Sequence, residues 1–308
     1  MKIAVMGAGG VGGYFGGRLA AAGCDVAFIA RGAHLAAMRA NGLTIQSPRG
    51  DLHLPQVRVT DDPATLEPVD LVLFSVKLWD TAEAARMLRP LFGPETGIVS
   101  FQNGVQKDDV LRGVFGDAAV MGGVGYIATT IGSPGVIKHT GSMQRLVFGE
   151  YDGSRSPRAQ SLLEACVKAG IDAELSNDIR REIWQKFVFL VGLSATTTTT
   201  RLPLGPIRGN SRTRGLLLEL MREVVAVGRA LGVVLPADYA EQRLAFADGL
   251  PADMTSSMFH DLDRGRPLEV AWLSGGVVDL GAQCGVPTPA NRMVRDILEL
   301  HAGARAAT

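Results

Sequence analysis

The sequence has few cysteines, no excess charge of either sign and no long apolar run. Its three cysteines, Cys24, Cys166 and Cys284, lie far apart and form no C-x-x-C pair, which argues against a disulfide framework or a cysteine zinc site. Because 31 basic residues balance 31 acidic ones, nothing in the charge favours nucleic acid or an anionic membrane. The best uncharged apolar run, Phe187–Ala195, falls far short of the roughly 20 residues that span a bilayer. We therefore expect a cytoplasmic protein with a small-molecule ligand.

The pattern of apolar residues changes near residue 176. Before it, short apolar runs alternate with helical segments of about 10–15 residues, which predicts βαβ units and a mainly parallel sheet. After it, no convincing strand follows, and five segments carry helical spacing: Ile179–Ser194, Arg212–Leu231, Asp238–Ala247, Leu268–Gln283 and Asn291–Ala302. The predicted fold class is α/β, with a doubly wound domain over residues 1–176 and an all-helical domain over residues 177–308. The run Thr196–Thr200 suits neither a helix interior nor an ordinary loop.

Glycine is abundant, with 38 residues, and it is dense just after the first predicted strand. The sequence Gly7-Ala8-Gly9-Gly10-Val11-Gly12 fits G-x-G-x-x-G, and it lies between a predicted strand and a predicted helix. In that context Gly7 allows the tight turn, Gly9 lets the backbone approach a pyrophosphate, and Gly12 lets helix and strand pack. The alternative is a merely flexible loop. The context favours a Rossmann domain that binds a nicotinamide dinucleotide.

Two cations follow predicted strands and bear on the choice of cofactor. An NAD-selective domain would place an acid at the end of the second strand, where this chain has Arg31 and no carboxylate. Arg31 can make a charge-assisted bond to a 2′-phosphate, and Lys77 ends a neighbouring strand. Both can also be ordinary surface cations. We expect NADPH to be the cofactor.

Polar residues that follow another strand and lie in the second half are candidates for chemistry. Asn103, in Gln102-Asn103-Gly104, either forms a turn or bonds the nicotinamide ribose or the substrate. Lys186 precedes an apolar run, so it either extends to solvent or serves as a proton donor in a cleft. Glu269 can be an acid in a first helical turn, with Pro267 as the first helical residue, and Ser257 can belong to a helix N-cap.

Together these residues resemble the ketopantoate reductase (2-dehydropantoate 2-reductase) family over nearly the whole chain. The resemblance is carried by the glycine loop, Arg31 and a set of short motifs: Ser75-Val76-Lys77, Gln102-Asn103-Gly104, Trp184-Gln185-Lys186, Ser256-Ser257-Met258, and Gly265-Arg266 with Glu269. It implies NADPH-dependent reduction of a 2-oxo acid to a 2-hydroxy acid. It also implies that Lys186 is the catalytic lysine, Glu269 an active-site glutamate, Ser257 a substrate-contacting serine and Asn103 a cleft asparagine.

Four positions depart from the family pattern. Where the family carries asparagines facing the substrate, this chain has Leu190, Ser194, Met254 and Ser274. The hydride chemistry is unaffected, but selectivity for ketopantoate, which has its own hydroxyl group, is not implied.

Several alternatives stay open from the sequence. Another 2-oxo acid on the same scaffold is one, and a β-hydroxyacid dehydrogenase is a second, although its asparagine four residues after the lysine is missing here. A non-catalytic dinucleotide sensor is the third. A homodimer is compatible with the sequence.

Overall fold

The computed structural model describes residues 1–303, which form two compact units. The first unit comprises Met1–Asn103 and Lys107–Glu182, and the second comprises Gly104–Gln106 and the chain from Ile183 onward. Residues 304–308, at the end of the predicted helical domain, lie outside the described residues. The domain boundary predicted at residues 176 and 177 stays a prediction.

A sheet of ten strands forms the first unit. The strands are β1 (Lys2–Met6), β2 (Asp25–Ile29), β3 (Leu43–Gln46), β4 (Leu52–Leu54), β5 (Arg58–Thr60), β6 (Leu71–Phe74), β7 (Gly97–Ser100), β8 (Val120–Ser133), β9 (Val136–Gly149) and β10 (Asp172–Leu175). Strands β5-β2-β1-β6-β7-β8 follow one another in parallel. The antiparallel hairpin β8–β9 extends the sheet, and β3 and β10 pair with different parts of β9 while β4 pairs with β3. The mainly parallel sheet confirms the predicted fold class.

Helices cover both faces of the parallel strands because successive side chains of a strand point to opposite sides. The helices of this unit are α1 (Gly10–Ala21), α2 (Gly32–Asn41), α3 (Thr81–Met87), α4 (Lys107–Phe115) and α5 (Pro157–Lys168). On β1, Ile3 and Val5 share one buried cluster with Phe15 of α1. Their neighbour Ala4 belongs to a second buried cluster, with Ala85 of α3.

The second unit is helical. Its helices are α6 (Ile179–Thr200, whose first four residues belong to the first unit), α7 (Leu204–Gly209), α8 (Ser211–Ala230), α9 (Tyr239–Asp248), α10 (Ser257–Asp263), α11 (Ser274–Cys284) and α12 (Pro289–Leu298). They share one apolar core. This confirms the predicted helical C-terminal domain. Over residues 1–303, no helix combines the length and apolar character needed to cross a membrane.

The threonine run extends α6 instead of ending it. Thr196, Thr197, Thr199 and Thr200 each donate a hydroxyl hydrogen to the carbonyl four residues earlier, at 2.6–2.8 Å. These bonds pair four of the five hydroxyls of a largely buried segment within the helix itself, whereas the Thr198 hydroxyl has no hydrogen-bond partner among the described residues. The helix ends where Arg201 takes a positive φ of 57°.

Two of the sequence predictions on local structure were wrong. Pro267 is not the first helical residue, because Leu268 after it is extended (φ −103°, ψ 143°) and a three-residue 3₁₀ turn begins only at Glu269. The helix predicted over Leu268–Gln283 is therefore two elements, this turn and α11.

Candidate active site

The glycine loop lies between β1 and α1, where the motif requires it. Gly7 has a φ of +91°, and a Cβ there would lie 2.8 Å from the backbone nitrogen of Val76. A Cβ at Gly12 would collide with the carbonyl oxygen of Gly7. At Gly9, the N-cap of α1, no described atom lies within 4 Å of the Cβ position. The loop is therefore tightly closed at Gly7 and Gly12 and open at Gly9, the position assigned to the pyrophosphate.

Arg31 lies two residues after the end of β2 and is the N-cap of α2. Its side chain is 81% exposed, and its Nη2 donates to Oδ2 of Asp80 at 2.7 Å. The end of β2 carries no carboxylate of its own, as the sequence showed, but Asp80 of another segment places one beside Arg31. Asp80 ends the 3₁₀ turn Leu78–Asp80 after β6, and only the pairing of β1 with both β2 and β6 brings the two residues together.

Lys77 is the half-buried N-cap of the turn Leu78–Asp80. Its Nζ lies 5.5 Å from the ring centroid of Trp79, within the range of a cation–π contact. The ammonium is thus placed at the end of β6.

Gln102 links the segment after β6 to the segment after β7, and the second of these carries Asn103. Its buried amide accepts a hydrogen bond from Ser100 Oγ at 3.0 Å and donates to the carbonyl of Val76 at 2.9 Å and to Thr81 Oγ1 at 2.8 Å. Asn103 itself is half-buried, and the glycine after it has a φ of +85°. The chain therefore bends at Asn103-Gly104, which is compatible with both the turn interpretation and a binding role for the asparagine.

Lys107, Asp108 and Tyr151 form a hydrogen-bonded cluster that the sequence did not reveal, and the cluster contacts Ser100 at the end of β7. Lys107 Nζ donates to the carbonyl of Ser100 at 2.8 Å and to Asp108 at 3.0 Å, and Tyr151 donates its hydroxyl to the same carboxylate at 2.6 Å. Burial lowers the pKa of Lys107, and the Asp108 carboxylate opposes that shift. The cluster fixes the carboxyl end of β7, three residues before Asn103.

The topology of the sheet gathers the predicted cofactor residues of the first unit at one edge. Strands β2, β1, β6 and β7 are neighbours and parallel, so their carboxyl ends meet. Arg31, Gly7, Lys77 and Asn103 follow these four strands in that order. This edge is where open α/β sheets bind their ligands.

In the second unit, Lys186 is half-buried on α6. Its helical neighbour Ile183 is buried, and Leu190, one turn further on, packs against the core. The apolar face predicted around Lys186 is thus present.

Glu269 is buried, with 6% of its surface exposed, at the start of its 3₁₀ turn. Its neighbours Leu268 and Val270 belong to the same core cluster as Phe187 and Val188, which follow Lys186. The acid and the lysine are therefore both held by segments of one helical core.

Ser256 and Ser257 have different environments. Ser256 is buried and is the N-cap of α10, since its Oγ accepts from the backbone nitrogen of Phe259 at 3.1 Å. It also bonds Thr197 Oγ1 at 3.0 Å. Ser257 is exposed at the first position of the helix. The capping role thus belongs to Ser256, which leaves Ser257 as the candidate for binding substrate.

The four positions that depart from the family pattern fall into two kinds. Leu190 and Met254 are partly buried and pack against the helical core. Ser194 and Ser274 are buried, and within the described part of the chain neither hydroxyl oxygen has a hydrogen-bond partner. An unpaired buried hydroxyl costs about 1–3 kcal/mol.

Comparison with known families accounts for both units. The family model described as ketopantoate reductase PanE/ApbA matches residues 3–153, and its C-terminal counterpart matches residues 178–302. This chain belongs to the ketopantoate reductase family. The resemblance drawn from the sequence motifs is thereby confirmed.

Individual relatives of known name cover almost the whole chain. A 2-dehydropantoate 2-reductase of Mesorhizobium japonicum is 35% identical over 94% of both chains. Among solved structures, a PanE/ApbA family ketopantoate reductase from Ralstonia eutropha JMP134 is 35% identical over 98% of both chains, with a TM-score of 0.89. A 2-dehydropantoate 2-reductase from Geobacter metallireducens GS-15 is 31% identical over 97% of this chain and 99% of that one, with a TM-score of 0.91. Relatives named as ketopantoate reductases therefore share both the fold and the length of this chain.

Proposed function

We propose that this chain reduces a 2-oxo acid to a 2-hydroxy acid with NADPH, and that the acid is 2-dehydropantoate, which becomes pantoate in pantothenate biosynthesis. The observation that supports this most directly is the family match over both units, combined with the burial of the two matched residues. Lys186 is half-buried and Glu269 is buried, on segments of one core.

The chemistry suits these groups. The reduced nicotinamide, when bound, supplies a hydride to the carbonyl carbon of the substrate. Negative charge then develops on the carbonyl oxygen, where the Lys186 ammonium stabilises it and donates a proton. Glu269 orients the lysine or accepts a hydrogen bond from the substrate, and Ser257 and Asn103 bind the substrate.

The residues at the edge of the sheet in the first unit support the choice of NADPH. Gly7, Gly9 and Gly12 shape the pyrophosphate loop, Arg31 bonds the 2′-phosphate, and Lys77 adds a second cation. Because Arg31 is paired with Asp80, the 2′-phosphate must either displace that carboxylate from the guanidinium or bind the guanidinium together with it. The Arg31 side chain is 81% exposed, and the bond to Asp80 uses only its Nη2, so other N–H groups of the guanidinium can bond a phosphate.

The packing of Leu190 and Met254 favours a second candidate substrate. These apolar side chains occupy pocket positions that carry asparagine in the family. An apolar surface there would leave the hydroxyl of ketopantoate without a hydrogen-bond partner. A branched, apolar 2-oxo acid such as 2-oxoisovalerate lacks that hydroxyl. The second candidate function is therefore reduction of such an acid on the same scaffold.

The test is to follow NADPH oxidation with a panel of 2-oxo acids and to identify each product. The decisive ratio is kcat/KM for ketopantoate over kcat/KM for 2-oxoisovalerate. A site built around the hydroxyl should give a ratio of about 10⁴ or more. Near-equal values would support the second candidate. Dinucleotide binding without turnover of any 2-oxo acid would overturn the proposal and favour a non-catalytic sensor.

A further inference from the structure

His34 connects the glycine loop to two other segments of the first unit. It lies in the first turn of α2, three residues after Arg31, and it is half-buried. Its Nε2 lies 2.9 Å from the carbonyl oxygen of Ala8, inside the glycine motif. Its Nδ1 lies 3.0 Å from the backbone nitrogen of Gly135, in the turn between β8 and β9. One ring thus joins the loop, the helix and the hairpin.

The two partners determine which nitrogen of His34 carries the proton. The Gly135 N–H can only donate, so Nδ1 must offer its lone pair. The Ala8 carbonyl can only accept, so Nε2 must carry the hydrogen. Only the neutral ring with its proton on Nε2 satisfies both partners. His34 is thus a fixed polar link between two backbone groups, and not a positive charge that attracts phosphate.

The bond to Ala8 controls the direction of the next amide. In a trans peptide the C=O and the following N–H point in opposite directions, and the described chain has no cis peptide. Because the Ala8 carbonyl is held toward α2, the Gly9 N–H points away from α2. The Ala8 N–H is held as well, because it donates to the Ile29 carbonyl at 3.2 Å. The peptide that precedes Gly9 is restrained on both sides.

We propose that His34 is a positioning residue for the dinucleotide: it orients the Gly9 amide toward the pyrophosphate and ties that loop to the start of α2, which carries Arg31. This inference rests on the proposed function, since it needs a dinucleotide at the glycine loop. It predicts a defect that differs from the loss of Arg31. The pyrophosphate is common to NADPH and NADH, so a misplaced Gly9 amide weakens both cofactors alike.

Two variants separate the two bonds of His34. In His34→Asn, the side-chain oxygen takes the place of Nδ1 and still accepts from Gly135, but nothing reaches Ala8. In His34→Gln, the amide nitrogen takes the place of Nε2 and still donates to Ala8. The affinities for NADPH and NADH are measured by fluorescence titration, and kcat and KM for the 2-oxo acid are measured at saturating NADPH.

We expect His34→Asn to raise the Kd of both cofactors by about tenfold, which corresponds to about 1.4 kcal/mol. His34→Gln should stay within about threefold of wild type, and kcat at saturating NADPH should change little in either variant. Unchanged affinities in His34→Asn would overturn the inference, and so would equal losses in both variants, which indicate a merely structural link. If the wild-type protein binds neither dinucleotide, the proposed function fails first, which distinguishes the two failures.

Discussion

At the scale of single residues, Arg31 decides between the two nicotinamide cofactors in our proposal. We expect wild-type protein to bind NADPH at least about tenfold more tightly than NADH, a difference of about 1.4 kcal/mol. Arg31→Ala should remove most of this difference by weakening NADPH alone, because only NADPH carries the 2′-phosphate that the guanidinium bonds. Fluorescence titration of both cofactors measures it.

Asp80 provides the matched control for Arg31. In Asp80→Asn the guanidinium loses its competing carboxylate, and the phosphate no longer meets a negative charge. NADPH affinity should therefore rise, while NADH affinity should change little. Equal affinities of the wild-type protein for the two cofactors would contradict the assignment of Arg31.

Lys186 carries the second prediction at this scale. Lys186→Ala should lower kcat by about 10²–10⁴-fold, as expected for the loss of a general acid, with little change in the Kd of NADPH. Lys186→Arg should also be slow, because a guanidinium keeps the charge but does not release a proton near neutral pH. Stopped-flow measurement of hydride transfer and cofactor titration separate the two effects.

Arg181 is the control for Lys186, because it is an exposed cation on the same helix. Arg181→Ala should leave kcat near the wild-type value. A fully active Lys186→Ala enzyme would instead assign the proton to water or to another acid.

The site residues predicted from sequence are those whose signal lies in their own position along the chain. Arg31 was predicted because an acid is missing at the end of a strand, and Lys186 because a lone cation precedes an apolar run. Asp80 and His34 were missed because their partners are distant in sequence, 49 residues away for Asp80 and 26 and 101 residues away for His34. Such contacts exist only after the sheet has assembled.

At the scale of secondary-structure elements, Gln102 joins the end of β7 to the segment after β6. In Gln102→Glu the new carboxylate would face the carbonyl of Val76 without a hydrogen to donate. We expect the free energy of unfolding at pH 7 to fall by about 2 kcal/mol or more, because the variant buries a charge and breaks the bond. Urea denaturation measures the loss.

The control for this prediction is Gln56→Glu, which makes the same change at an exposed position. It should alter the free energy of unfolding by no more than about 0.5 kcal/mol. A stable Gln102→Glu protein would mean that the amide network contributes little to holding the loop of Asn103.

The elements themselves were predicted where one periodicity dominates. Strands β1 and β6 and helix α8 follow from apolar runs or helical spacing. The threonine run was not understood from sequence, because β-branched residues have low helix propensity, and their bonding to carbonyls one turn earlier depends on burial. Pro267 was misplaced because a proline is as compatible with an extended segment as with the first turn of a helix.

At the scale of the whole molecule, the two-part architecture could be predicted because alternation of strands and helices stops once and does not resume. The glycine motif also predicted which edge of the sheet binds the ligand. It could do so because it lies between a predicted strand and a predicted helix, the context in which the motif is informative. The substrate could not be predicted in the same way. It depends on whether side chains such as Leu190, Ser194 and Met254 leave polar groups of the ligand unbonded, and the spacing of residues carries no such information.

We expect two histidines to make the stability of the first unit depend on pH. Burial lowers the pKa of His34, and its bond to the Ala8 carbonyl opposes the shift only partly. Burial also lowers the pKa of His139, and Arg18 and Arg49 add to that effect against the bond to the Met143 carbonyl. In the folded protein both rings therefore take up protons less readily than in the unfolded chain, where the pKa is near 6.5.

The sign of the resulting pH dependence follows from proton uptake. A group whose pKa is lowered by folding stabilises the folded state fully above its unfolded value, and this contribution is lost as the pH falls from about 6.5 toward the folded value. We expect the free energy of unfolding of the wild-type protein to decrease as the pH falls from 7.5 to 5.5.

The free energy of unfolding of the double variant His34→Gln with His139→Asn should decrease less over the same interval. His53→Gln, a change at an exposed histidine, should follow the wild type. Urea denaturation at the two pH values measures the three slopes. If the double variant lost as much as the wild-type protein, the acid sensitivity would have to come from the carboxylates instead.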